Sequence, residues 1–426
     1  MRLGGRMAAA IEVLADIETR KRPVADALKD WGLAHRFAGS GDRAAIGNIV
    51  YDALRMRLSH AWLMDDESET ALVYAVLLRQ WGFTRTSLAA ELADDKFAPP
   101  APDLTGLSER NLSDAPAHIQ GDIPEWVVES FQSYFGDAWL AEAQAMAGRP
   151  TLDLRANTLK ANRDKVVKAL DRAGAQPTQI ARQGIRIPAG DGASRLPNVT
   201  AELSFQKGWF EVQDEGSQIV ADLVMPSEGQ QVLDYCAGGG GKTLALSASL
   251  NNKGQVHAYD ADRKRLAPII ERLRRAGTRN VQVHDDVQQM DALKEKLDVV
   301  LVDAPCTGTG TWRRRPDTKW RLTQKNIEER LGQQQDALSS AAAYVKPGGT
   351  LVYVTCSVLP EENDRQIERF LANNPSYEVQ SALDDWKTLF GKDAPKPHSA
   401  DGRSLTLTPA STQTDGFFFC KLKRQS

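Results

Sequence analysis

The second half of this chain predicts an α/β fold, a Rossmann-like, doubly wound parallel sheet, on two observations. Short apolar runs alternate with helical patterns: "QVLDYC" (231–236), "QVHAYD" (255–260), "NVQVHD" (280–285), "LDVVLVDAP" (297–305) and "GTLVYVTCS" (349–357). Their interiors, such as Val299-Val300-Leu301-Val302, are apolar throughout, as in a sheet covered on both faces. A third observation concerns the first 95 residues, where "AAAIEVLADI" and "RAAIGNIVYDALRMRLSHAWLM" space apolar residues three and four apart with no strand-like alternation. A separate all-α domain therefore precedes the sheet.

In order, the helical pattern gives way to "DKFAPPAPDLTGLSERNLSDAPAHIQGDIPEW", rich in Pro, Ser and Asp, which reads as a connection with a boundary near residue 115. A small α/β subdomain then spans 116–205: "PEWVVESFQSYFGDAWLAEAQAMA" is helical, "TLDLRANTL" strand-like, and "ANRDKVVKALDRAG" a helix ending at Gly174. The sheet occupies 206–426. A glycine loop (238–241) opens its first helix, "ADRKRLAPIIERLRRAG" forms the second, and a long helix runs from Thr323 to about Tyr344. "PEENDRQIERFLAN" predicts a helix starting near Pro360, and "SLTLTP…DGFFFCKLKR" a closing hairpin.

With 426 residues, two or three domains are expected. An apolar fraction of 42%, a charged fraction of 26% and a net charge of −3 describe a soluble globular chain without a global electrostatic clamp on nucleic acid. The four cysteines (Cys236, Cys306, Cys356, Cys420) form no CxxC pair, so neither a disulfide framework nor a metal site is expected. No apolar stretch approaches a membrane span, and Glu12, Asp16 and Glu18 argue against an N-terminal targeting segment. The expectation is a cytoplasmic monomer.

Ligands of open α/β sheets bind beyond the carboxyl ends of the strands. The loop "DYCAGGGGKT" runs Asp234, Tyr235, Cys236, Ala237, Gly238, Gly239, Gly240, Gly241, Lys242. Its glycines let the backbone approach a ligand at a helix N-terminus. A P-loop ending at Gly241-Lys242-Thr243 would need glycine where Cys236 stands, and the dinucleotide pattern from Gly238 would need glycine at Thr243. A nucleoside without phosphate remains. Asp260, 19 residues beyond Gly241, is placed to accept from a ribose diol, and Asp285 to face an adenine amino group. Each alone is as readily a loop residue or helix cap, but strand ends marked by Asp234, Asp260, Asp285 and Asp303 form a set. S-adenosylmethionine fits that set.

Two cysteines follow neighbouring strand ends, Cys306 in "DAPCTGTG" and Cys356 in "VYVTCS". A strand cysteine is usually core, and Cys420 and Cys236 are assigned so. Cys306 and Cys356, followed by small or polar residues, are expected in the cleft, where a helix beginning at Pro360 would favour a thiolate. Thiolate addition to C6 of a pyrimidine makes C5 nucleophilic enough to take a methyl group, and Asp303 would stabilise the charge that develops.

These stretches together resemble the RNA cytosine-5 methyltransferases of the Fmu/Sun (RsmB/NOP) type: "DYCAGGGGKT", "DAPCTGTGTWRRRPDTKWR", "TCSVLPEEN" and "DGFFF", with "LDLRANTLK" and "FEVQDEGSQIVADL" upstream. The resemblance covers about residues 120–424. It implies a class I methyltransferase sheet, with Cys356 as the residue that bonds C6, Cys306 as the one that assists product release, and Asp303 as a contact to the base. It further implies that Cys236 to Lys242, Asp260, Arg265, Asp285 and Asp303 hold S-adenosylmethionine. The family's loop usually reads Cys-Ala-Ala-Pro-Gly-Gly-Lys; Gly238-Gly239 replace Ala-Pro here, which loosens the unbound loop without removing a functional group. "GSGDRAAIGNIVYDALR" (39–55) resembles the NusB-type RNA-binding domain of some members, which implies small-subunit ribosomal RNA as substrate.

Directly after Cys306, "TWRRRPDTKWR" sets Trp312, Arg313, Arg314, Arg315, Lys319, Trp320 and Arg321 together, a pattern expected to contact RNA through phosphates and stacking. A flipped-out cytosine would have to enter beside it. Competing readings are a catalytically silent RNA-binding assembly factor, the same chemistry on transfer RNA, an NAD-dependent oxidoreductase, and a DNA methyltransferase. The last would leave Cys356 unexplained, and the glycine pattern disfavours the oxidoreductase.

Overall fold

A computed structural model describes all 426 residues, and the chain separates into two compact units rather than three. The first comprises Met1–Pro150, Ala189–Leu196 and Thr311–Leu322; the second comprises Thr151–Pro188, Pro197–Gly310 and Thr323–Ser426. No helix is long and apolar enough to cross a membrane.

The first unit is helical, as its apolar spacing predicts: Leu3–Arg20, Val24–Ala34, Ser40–Arg55, Arg57–Met64, Glu69–Arg79 and Arg85–Leu92, followed by shorter turns. Ser68 and Thr84 cap two of these helices by accepting from Ala71 N and Ser87 N. The expected boundary at residue 115 falls inside this unit for a polar reason. The Asp122 carboxylate accepts from Leu58 N at 2.9 Å and Ser59 N at 3.0 Å, so the 117–150 stretch closes onto the bundle. Buried Asp52 extends the unit further: it accepts from Arg55, Arg149 and Trp81, while Arg149 also donates to the carbonyls of Gly190 and Gly192.

The second unit holds two sheets. The smaller is antiparallel, with β1 (Leu152–Ala156), β2 (Gln176–Pro177), β3 (Gly184–Ile187) and β4 (Phe210–Val212) in the order β2-β3-β1-β4. The larger contains β5 (Gln231–Asp234), β6 (Gln255–Tyr259), β7 (Val281–His284), β8 (Leu297–Asp303), β9 (Val345–Thr355), β10 (Tyr377–Val379), β11 (Ser404–Leu407) and β12 (Phe417–Arg424). Its order is β10-β12-β9-β8-β5-β6-β7, with β11 beside β12. The five strands β5 to β9 run parallel and β12 antiparallel, the Rossmann-like methyltransferase arrangement expected. Strand order reverses between β5 and β8, so the carboxyl ends of β5, β8 and β9 frame the ligand crevice.

Two local expectations are corrected. The second helix breaks into Arg263–Leu266 and Ile269–Ala276, because Pro268 has no N–H to continue the ladder. The helix expected from Pro360 begins at Asp364, and residues 360–363 form a turn. The terminal hairpin forms as expected, with β11 antiparallel to β12, and β12 lies between β9 and β10, burying Phe418, Phe419 and Leu422.

Candidate active site

Beyond β5 the backbone turns sharply. Tyr235 N donates to Leu301 O and Ala237 N to Tyr259 O, which ties the loop to the strands on either side. Gly238 and Gly240 adopt φ of +50° and +80°, and a Cβ on Gly240 would lie 2.4 Å from Ile269 Cγ1. The helix Gly241–Ser249 starts immediately, so its first amides lie at the crevice.

Asp260, at the end of β6, is buried and braces this loop: Oδ2 accepts from Gly238 N at 2.9 Å and Oδ1 from Asp262 N at 2.8 Å. Arg265, more exposed, sits 3.8 Å from Asp260 Oδ2. Arg272, which the sequence did not single out, donates to Gly239 O at 2.6 Å. Asp285 is exposed at the end of β7 and accepts from Gln289 Nε2. Asp234 is fully buried; burial pushes its carboxyl up to about 7, against the opposing hydrogen bond from Thr243 Oγ1 at 2.6 Å. Its Oδ1 has no partner. Burial, then the nearby carboxylates Asp303, Asp260 and Asp234, pushes the Cys236 thiol well up, which suits a packing role. A side-chain-free glycine cradle, a helix N-terminus, acids at successive strand ends and an orphaned buried carboxylate oxygen together fit S-adenosylmethionine.

The paired strands β8 and β9 bring the two cysteines together. Asp303 is in register with Val354, and Ala304 N donates to Val354 O, so the chains leaving both strands run side by side. Cys306 Sγ and Cys356 Sγ lie 3.3 Å apart. The Cys306 pKa is held well above the ordinary thiol value, first by its hydrogen bond to Cys356, then by burial and the charge of Glu362. Lys242 Nζ donates to Asp303 Oδ2 at 2.6 Å, and the aspartate side chain is 31% exposed against 7% for the lysine. The carboxylate thus faces the crevice while the ammonium supports it from within. Lys242 was expected to serve the cofactor loop; the structure pairs it with Asp303.

The residues that hold these groups were mostly missed in the sequence. Thr355 Oγ1 donates to Asn363 Oδ1 at 2.6 Å, Asn363 Nδ2 to Ser357 O at 3.0 Å, and Val358 N to Thr309 Oγ1 at 2.9 Å, all buried. Glu362 accepts from Thr307 N at 2.8 Å, Thr307 Oγ1 at 2.5 Å and Gln334 Nε2 at 2.9 Å. The polar runs "CTGTG" and "CSVLPEEN" were the available signal; which partners they chose depended on strands pairing far apart in sequence. With the helix starting at Asp364, no helix N-terminus begins at Pro360 to favour a thiolate.

The basic tract is corrected. Trp312, Arg313 and Lys319 are buried within the helical unit and are not an RNA surface. Trp312 stacks on Phe131 with centroids 6.1 Å apart, and Arg55 Nε donates to Arg313 O at 2.7 Å. Lys319 Nζ donates to Arg55 O at 2.9 Å, and burial lowers its pKa to about 8. Trp320 Nε1 donates to Leu54 O, and Arg321 pairs with Asp317 at 2.6 Å. Arg314, Trp320 and Arg321 are partly exposed, and Arg315 is exposed. Cationic heads can be buried here because backbone carbonyls accept their protons.

Residues 221–423 match the 16S rRNA methyltransferase RsmB/F family, and residues 123–190 match the ferredoxin-like domain of RsmF/B-like methyltransferases. The chain is similar to the ribosomal RNA small subunit methyltransferase B of Klebsiella pneumoniae, 34% identical over 415 residues, covering 89% of this chain and 90% of that protein. It is also similar to the probable ribosomal RNA small subunit methyltransferase B of Synechocystis, 34% identical over 311 residues, covering 72% and 67%. The crystal structure of PH0851 superposes with a TM-score of 0.75 at 24% identity, covering 100% of this chain and 99% of that one, a likeness of fold.

Proposed function

The chain belongs to the 16S rRNA methyltransferase RsmB/F family, and from that premise we propose that Cys356 is its covalent nucleophile, Cys306 the thiol that releases it, and Asp303 the group that holds the target base. The enzyme is an S-adenosylmethionine-dependent RNA cytosine-5 methyltransferase acting on ribosomal RNA. Its place of action on this reading is the cytoplasm, where thiols stay reduced.

The single observation that carries the assignment is the 3.3 Å sulfur pair at the ends of β8 and β9, beside Asp303. Cys356 adds to C6 of the cytosine, which makes C5 enamine-like. Asp303, supported by Lys242, hydrogen-bonds the N3 and amino edge and stabilises the charge that addition creates. The glycine loop with Asp260, Arg265 and Asp285 would hold S-adenosylmethionine, which would supply an electrophilic methyl group to C5. Once a base removes the C5 proton, the Cys356–C6 bond breaks, and the Cys306 thiol is placed to protonate the departing sulfur.

Methyl transfer from labelled S-adenosylmethionine to protein-free 16S rRNA, followed by a denaturing gel, tests the assignment. Cys306→Ser is expected to leave a covalent protein–RNA adduct, and Cys356→Ser to be inactive without one. An adduct in Cys356→Ser instead would reverse the two roles. Binding without transfer by the wild type would favour a silent assembly factor.

A further inference from the structure

Outside the catalytic crevice, three segments of the second unit meet at one side chain. Asn157 Nδ2 donates to Gly208 O at 2.9 Å and to Ala276 O at 2.8 Å, while Asn157 N donates to Trp209 O at 2.8 Å. The segments pack so closely that a Cβ on Gly208 would lie 2.0 Å from Arg275 O, and one on Gly277 would lie 2.4 Å from Lys160 Cε. Both glycines have positive φ, +72° and +76°, so the seam is built into the fold.

What the seam gathers is mostly basic. Across residues 157–165, 202–209 and 269–279 stand eight Lys or Arg and three acids, Asp164, Glu202 and Glu271. Arg272 and Arg275 both pair with buried Glu211, at 3.0 and 2.6 Å. Lys160, Lys165, Lys207, Arg274 and Arg279 are exposed, and none forms an ion pair. Two of them bracket an indole: Lys165 Nζ lies 4.1 Å and Lys207 Nζ 5.8 Å from the Trp209 ring centroid. Arg275 lies over Phe205, 4.2 Å from its centroid.

Scattered surface lysines are ordinarily solvated and need no partner. Here they converge on one seam with an aromatic ring among them, the combination that holds RNA phosphates beside an unpaired base. We propose that this seam of Lys160, Lys165, Lys207, Arg274 and Trp209 is a second RNA-binding surface, engaging the ribosomal RNA chain away from the methylated cytosine. The proposal rests on RNA being the substrate. It supplies the basic surface that the buried Trp312, Arg313 and Lys319 do not.

The test is Lys160→Gln/Lys165→Gln/Lys207→Gln, compared with Lys325→Gln/Lys392→Gln/Lys396→Gln, an equal charge change at exposed positions elsewhere. Binding to protein-free 16S rRNA is titrated against KCl, and KM and kcat for RNA are measured beside it. Loss of three phosphate contacts should reduce the slope of log K against log salt by about 2. The RNA KM should rise about tenfold or more, with kcat, melting temperature and S-adenosylmethionine affinity unchanged. An unchanged slope and KM, or an equal loss in the comparison variant, overturns the proposal. If the triple variant melts early, Lys207→Glu alone reads the same slope. Because binding is read without chemistry, a wild type that transfers no methyl group leaves this result intact and instead refutes the enzymatic assignment.

Discussion

Gly416 N donates to Gly310 O at 2.7 Å, and the two backbones approach so closely that a Cβ on Gly310 would lie 2.3 Å from Gly416 O. Gly310 closes the loop carrying Cys306 and Gly416 immediately precedes β12, so the last strand of the sheet buttresses that loop. The carbonyl of Cys356 is drawn in as well, accepting from Gly310 N at 3.0 Å.

Gly310→Ala should therefore act on both cysteines at once. Overpacking of this kind costs about 1–3 kcal/mol. We expect a lower melting temperature and at least a hundredfold loss of methyl transfer. A variant with normal stability and normal rate would show that the buttress does not position the loop.

Glu362→Gln tests the electrostatics of the pair. The glutamate charge contributes to the raised Cys306 pKa, so its removal should bring that thiol back toward ordinary values. Alkylation of the Cys306 peptide by iodoacetamide, followed by mass spectrometry across pH, should begin at lower pH in the variant. An unshifted or upward-shifted profile would contradict this account.

Asp234 predicts a pH dependence of stability. Its pKa is raised to about 7 by burial, so between about 4 and 7 the folded state holds a proton that the unfolded state releases. Stability from this group is therefore full at low pH and falls as pH rises through 7. Asp234→Asn keeps an acceptor for Thr243 and should flatten that fall, with a difference from wild type on the order of a few kcal/mol at pH 8. Parallel melting curves for the two proteins from pH 5 to 8 would refute the assignment.

In the helical unit, Asp52→Ala removes the acceptor shared by Arg55, Arg149 and Trp81. Stranding buried donors and charges costs about 3–5 kcal/mol, measurable by urea unfolding. A cost under about 1 kcal/mol would mean that water replaces the carboxylate.

Much of the active site was legible because strand ends are local features. An apolar run that stops at Asp303 or Thr355 announces its own carboxyl end, and the glycine loop excludes two phosphate motifs by counting alone. Asp260 was found this way, although its buried oxygens brace Gly238 and Asp262 more than they face the crevice. Glu362, Thr309 and Asn363 were not, since their partners lie on loops that meet only when β8 pairs with β9.

The sequence by itself determined the parallel sheet, the helical N-terminal region and the two cysteines that follow neighbouring strand ends, because periodicity and strand termination depend on near neighbours along the chain. Tertiary structure alone decided that Trp312, Arg313 and Lys319 turn inward, that β12 enters between β9 and β10, and that two sulfurs come within 3.3 Å. Each of these turns on which distant carbonyls, rings and strands are available as partners. A charged tract reads as surface until the fold supplies the carbonyls of Leu54 and Arg55 to receive it.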